Sequence, residues 1–184
     1  FDLTTGAEHT VVALEADTDR TRSNDGRADP WGGFWIGTMG KQTEPGLGAI
    51  YRYYRGQLRQ LYTAISISNA ICFAPRQPLA YFADTATQKI MRQALSPKDG
   101  WPEGDAELWL DLTAENRHPD GAVVDIEGCV WNAQWGASRY ASDGRWPIFI
   151  RNRLSNPPDF LSRIWRRPLA DAICNLGCYR SKRN

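Results

Sequence analysis

The 184-residue chain is 42% apolar and 23% charged, which suits one domain or part of one with an ordinary core and excludes a disordered chain. Eight Trp, seven Tyr and six Phe, with sixteen Gly and eleven Pro, favour many short strands joined by tight turns over a helical bundle. The net charge of +1 conceals a break: through Gly144, 13 Lys and Arg face 19 Asp and Glu, whereas from Arg145 onward 9 face 2. No apolar run approaches the roughly 20 residues that span a bilayer, so a transmembrane helix is not expected.

The opening FDLTTGAEHT has no basic stretch leading into an apolar run, and no secretion signal is read there. SNDG (residues 23–26) is followed by DPWGGFWIGT (29–38), a turn running into an aromatic strand, and then by AIYRYY (49–54). The order returns as SNA (68–70), APRQPLAYFADT (74–85) and KIMRQAL (89–95), and again as PDG (119–121), DIEGCVWNAQWG (125–136) and SRYASDG (138–144). Trp35, Phe82 and Trp131 lie 47 and 49 residues apart, and Asn24, Asn69 and Asp120 precede them by 11, 13 and 11 residues. A period near 50 with several short strands per unit predicts β-propeller blades of four antiparallel strands.

Blades surround one axis, so equivalent positions in successive blades face a common channel. Asn24, Asn69 and Asp120 are expected to converge there, where three oxygen-bearing side chains suit a hard divalent cation or a polyhydroxylated ligand. Asn or Asp beside Gly also serves simply to make a turn. Recurrence at matched positions favours the site. Asp25, Asp29, Asp84 and Asp125 are read as fixing turns and blade-to-blade hydrogen bonds, and the Trp-rich strands as packing between blades. His118 borders the channel, but with only His9 besides it no triad or His-rich metal site can be built.

RSNDGRADPWGGFWIGTM (22–39), GAIYR (48–52), ISNAICFAP (67–75), YFADT (81–85) and PDGAVVDIEGCVWNAQWG (119–136) resemble, in order and spacing, the gluconolactonase, regucalcin and senescence-marker-protein family. That resemblance implies an all-β, six-bladed β-propeller, of which about three blades are present, that hydrolyses a sugar (aldono-)lactone with one divalent metal cation (Ca, Zn, Mn or Mg). It implies a metal held by Asn69 and Asp120 with a Glu from the first blade. Arg22 and Asn24 would line the substrate pocket, with Gln42 where some members carry a Glu. Asp120 is then ligand and general base together, since a carboxylate at the metal can take a proton from the attacking water. The expected partner is a small-molecule sugar lactone, with no nucleic acid and no membrane. A propeller that binds calcium or a protein without catalysis is the alternative, because fold alone does not assign function.

Two departures from the family are expected to matter. A complete ring needs about 290 residues at this period. The chain is read as starting inside the second blade, without the first-blade Glu, so its metal site is expected to be weak or absent. Residues 1–144 are read as a partial propeller and 145–184 as a basic tail that loses the strand pattern. Read one nucleotide downstream, codons allowed for residues 164–167 can spell Phe-Gly-Gly and those for 173–178 Ser-Val-Thr-Ser-Ala, which the family carries near its end. A frameshift is therefore expected there, and the scattered Arg residues argue against a nucleic-acid-binding tail. Cys72, Cys129, Cys174 and Cys178 lack metal-ligand spacing and are read as thiols of a reducing compartment, the cytoplasm by default.

Overall fold

The computed structural model describes residues 2–136 and, by backbone alone, 149–153. Among the described residues there is no helix. Strands β1 (Thr21–Ala28), β2 (Phe34–Gly40), β3 (Gly48–Tyr54) and β4 (Gln57–Ile65) form one antiparallel sheet in sequential order. A second sheet of the same order contains β5 (Ser68–Phe73), β6 (Leu79–Asp84), β7 (Lys89–Ala94) and β8 (Glu107–Asp111). The third contains β9 (His118–Val124), β10 (Cys129–Trp135) and β11 (Phe149–Arg153). Two four-stranded meanders and a third sheet built alike match the blade pattern expected from the repeat.

One difference concerns β11. It pairs with β10 from Cys129↔Arg153 to Ala133↔Phe149, inside the segment where the residues show no strand pattern. The proposed third repeat strand at 138–144, Cys174, Cys178 and the rest of the basic tail lie outside the described residues.

The middle sheet explains the composition. Every residue of β5 from Ser68 to Cys72 and of β6 from Ala80 to Asp84 is buried, so these strands read as continuous small and apolar runs. Alternation divides them between two interfaces. Ile71, Ala80 and Phe82 pack with Trp35 and Ile50 of the first sheet, while Ala70, Cys72, Tyr81 and Ala83 pack with Ala122 and Val130 of the third. Trp35 is fully buried, edge-on to Phe73 with centroids 5.5 Å apart, and Tyr62 stacks on Phe82 at 4.2 Å. These rings are wedges between blades, as the sequence implies. Trp135 departs from that expectation, being 70% exposed.

The same interface holds a buried ion pair. Arg52 Nε donates to Asp29 Oδ2 at 2.7 Å with both side chains inaccessible, and the guanidinium carbon lies 4.5 Å from the Tyr54 and Trp101 ring centroids. Asp29 Oδ1 also accepts from the Trp31 and Gly33 N–H groups, closing the turn before β2. Asp29 is thus the turn-fixing residue anticipated from its place before Pro30.

Candidate functional site

Each sheet begins with its innermost strand, and β1, β5 and β9 lie side by side. An innermost strand has one edge without a ladder partner, so its backbone groups must be satisfied by side chains or water. All three strands carry a β-bulge near the same end. Asn24 and Asp25 together oppose Gly37, Ala70 and Ile71 oppose Phe82, and Asp120 and Gly121 oppose Ala133. Bulges re-aim side chains, and these fall at matching places in the three innermost strands.

The bulges refine the equivalence drawn from the sequence. Asn24 and Asp120 are each the first bulge residue, but Asn69 is the paired residue before its bulge, one position off. Ala70 takes the first place in β5 with φ 57°, a left-handed conformation uncommon without glycine. Gly37 lets the first two sheets approach closely, since a Cβ there would collide with the Ser68 side chain.

Side chains of β1 replace the missing ladder. Asn24 Nδ2 donates to Ser68 O at 2.9 Å, Asp25 Oδ2 accepts the Ile71 N–H at 2.8 Å, and Arg27 Nε donates to Ile71 O at 2.8 Å. Arg27 Nη2 reaches further, to Ala122 O at 2.9 Å, tying all three innermost strands together. Asp25 thus makes the blade-to-blade bond expected of it. Arg27 was not singled out by the sequence; its only signal was its place directly after NDG.

The Asn69 amide and the Asp120 backbone are held by neighbouring side chains. Asn69 is 6% exposed, and its Nδ2 lies 2.9 Å from Thr85 Oγ1, which donates to Pro119 O at 2.6 Å. Asn132 Nδ2 donates to the bulge carbonyls of Asp120 and Gly121 at 2.8 and 3.2 Å, and its own Oδ1 accepts from Gln134. Among the described residues, no donor reaches Asn69 Oδ1 or the half-buried Asp120 carboxylate, and neither is a buried atom cut off from solvent. These oxygens remain available to an outside ligand.

Arg22 and Gln42 are at the rim. Arg22 is exposed and donates through Nη1 to Asn24 Oδ1 at 3.1 Å. Gln42 lies exposed in the turn after β2, at the same end as the start of β1, with its N–H on Glu44 Oε2 at 2.9 Å. Hydrogen bonds from the N–H groups of Glu44 itself and of Gln42 hold the Glu44 carboxyl below the usual carboxylate range. Glu15 stands apart: its Oε1 accepts from Thr38 and Tyr51 on β2 and β3, not on an innermost strand. His118 is half-buried, 3.4 Å from Thr85 O and 3.4 Å from Gln88 Nε2.

Two other features lie away from Asn69 and Asp120. Asp125, Glu127 and Cys129 could bring three ligand atoms within 4.8 Å, but this is the β9–β10 turn. Asp125 closes that turn by accepting from the Glu127 and Cys129 N–H groups and from Trp131 Nε1. At the opposite ends of the innermost strands lies an open cleft of ≈ 450 Å³ lined in part by Arg27, Cys72 and Val123. Burial pushes the Cys72 thiol up to about 12, against the lowering effect of Arg27.

Comparison with known proteins identifies the family. The family model described as "SMP-30/Gluconolactonase/LRE-like region" matches residues 1–146. The chain is 34% identical over 151 residues to L-arabinolactonase of Azospirillum brasilense, covering 78% of this chain and 49% of that protein. It is 32% identical over 161 residues to 6-deoxy-6-sulfogluconolactonase of Pseudomonas putida, covering 79% and 51%. A crystal structure of a calcium-binding protein, regucalcin, from Agrobacterium tumefaciens strain C58 superposes with a TM-score of 0.72 at 44% identity, covering 74% of this chain and 46% of that one. The chain therefore spans about half the length of the relatives it matches.

Proposed function

The chain belongs to the SMP-30/gluconolactonase/LRE-like family, and from that premise we propose that it carries part of the site of a metal-dependent sugar lactonase. The observation that supports this reading is the pair of unclaimed oxygens, Asn69 Oδ1 and the Asp120 carboxylate, on adjacent innermost strands. An amide oxygen and a carboxylate form a hard donor set suited to Ca²⁺, Zn²⁺, Mn²⁺ or Mg²⁺. Asn69 and Asp120 would hold such a cation, which when bound polarises the lactone carbonyl as a Lewis acid.

The chain's own residues account for the rest of the chemistry. A lactone is an ester, and hydrolysis requires a positioned water whose proton has somewhere to go. Asp120 is the general base in this reading, because no protein donor competes for its carboxylate. Asn24 keeps one N–H and one oxygen lone pair beyond those committed to Ser68 and Arg22, enough to orient a sugar hydroxyl. Arg22 supplies a cation beside it for the oxygen that becomes negative as water attacks. Gln42 contributes a neutral amide at the rim, so this subsite favours polyhydroxylated over cationic substrates. Residues 145–184 fall in this reading to a shifted reading frame, which sequencing of the coding DNA tests directly.

Hydrolysis of gluconolactone, xylonolactone and arabinolactone, followed by acid release with added Zn²⁺, Mn²⁺ or Ca²⁺, tests the assignment. Turnover that disappears in Asp120→Ala supports it; turnover unchanged by that substitution refutes it. The likeness to a calcium-binding protein favours one alternative, a propeller that binds calcium without catalysis. That alternative predicts Ca²⁺ binding dependent on Asp120 with no hydrolysis of any of the three lactones.

A further inference from the structure

We infer that Thr85 is a positioning residue that sets the orientation of the Asn69 side-chain amide, turning its oxygen rather than its nitrogen toward the channel. This inference rests on the cation reading of Asn69 but concerns a different residue, on the segment that follows β6.

Proton counting carries the argument. A threonine hydroxyl has one proton. Thr85 Oγ1 lies 2.6 Å from Pro119 O, and a carbonyl oxygen can only accept, so the proton must lie between them. Toward Asn69, 2.9 Å away, the hydroxyl then has only lone pairs to offer. An amide oxygen there would set three acceptors around a single proton, whereas an amide nitrogen donates into the open lone pair. The two amide orientations have almost the same shape and differ mainly in this bond. With Nδ2 fixed on Thr85, Oδ1 is the end of the side chain left for a cation.

The hydroxyl acts on the second ligand as well. Pro119 immediately precedes Asp120, so the link from Asn69 through Thr85 to Pro119 joins both cation-facing residues across the gap between β5 and β9. Thr85 is 5% exposed and Asn69 6%, so water does not readily substitute for the lost hydroxyl. Residues that orient metal ligands in this way commonly change metal affinity by about 10- to 100-fold when removed.

The test compares the full chain with Thr85→Val, which keeps the shape and removes the hydroxyl, and Thr85→Ser, which restores it. Mn²⁺ affinity is measured by paramagnetic broadening, unfolding by calorimetry, and Asn69 side-chain N–H exchange by NMR. The expected result is about 10- to 100-fold weaker Mn²⁺ binding in folded T85V, recovery to within about 3-fold of the parent in T85S, and slowly exchanging Asn69 N–H protons in the parent and T85S only. A purely structural threonine would lower the unfolding temperature yet leave the affinity of the folded protein unchanged, and that result overturns the inference. So does rapid exchange of the Asn69 amide in the unaltered chain, a readout available even if T85V fails to fold. If the parent itself binds no Mn²⁺, the cation reading fails, while the amide exchange still decides the orientation assigned to Thr85.

Discussion

Polar side chains occupy two contrasting places in this molecule. Between the first and second sheets, Asp29 and Arg52 are wholly buried, bonded to each other, and surrounded by the turn amides of Trp31 and Gly33 and the rings of Tyr54 and Trp101. On the innermost strands β5 and β9, Thr85 bonds the Asn69 amide and Asn132 bonds the Asp120 backbone carbonyl, yet Asn69 Oδ1 and the Asp120 carboxylate have no protein donor among the described residues. What separates them is solvent: the first pair is sealed inside the interface, with even Arg52 Nη1 buried, whereas the unbonded oxygens of the second are not cut off from it, and the proposed ligand belongs to the second place.

Substitutions can break this contrast. Asp29→Ala leaves a buried guanidinium unpaired and should cost about 3–5 kcal/mol in urea unfolding, while leaving the cation affinity of the folded fraction unchanged. A comparable loss of affinity would mean that the two regions are not independent. Arg27→Met withdraws donors from Ile71 O and Ala122 O, for an expected loss of about 1–3 kcal/mol. Because that side chain spans all three innermost strands, a small loss of cation affinity should accompany it.

Asp120→Ala should do far less, changing stability by less than about 1 kcal/mol, since no protein bond to its carboxylate is lost. A large destabilisation would assign Asp120 to structure. The smallest effect is expected at Tyr51, whose phenol is pushed up to about 12 by burial and by its hydrogen bond to Glu15. The native state favours the protonated phenol, so its contribution is complete below the unfolded value near pH 10 and is lost as pH rises toward 12. Tyr51→Phe should therefore show a shallower fall in stability between pH 10 and 12 than the parent, read from urea midpoints across that range.

Much of this architecture is legible in the residues. The recurrence of a small polar group ahead of an aromatic strand marks the innermost strands, and the turn-forming roles of Asp29, Asp84 and Asp125 follow from their places before Pro, Thr and a Gly-bearing hairpin. Asp84 accepts from the Ser66, Ile67 and Ala86 N–H groups in keeping with that role. The one-residue offset of Asn69 was hidden because a bulge changes register without changing composition. Arg27 and Thr85 were hidden for another reason: each acts on backbone of a different blade, a contact that no local spacing encodes. β11 likewise acquires its strand from pairing with β10, where the residues alone show no alternation.

The central claim is that Asn69 and Asp120 together present a cation site, and titration of the full chain with Mn²⁺ beside Asp120→Ala and Asp29→Ala tests it most directly. One Mn²⁺ per chain is expected in the parent and in folded Asp29→Ala, with binding lost in a still-folded Asp120→Ala. Equal binding by Asp120→Ala and the parent would contradict it.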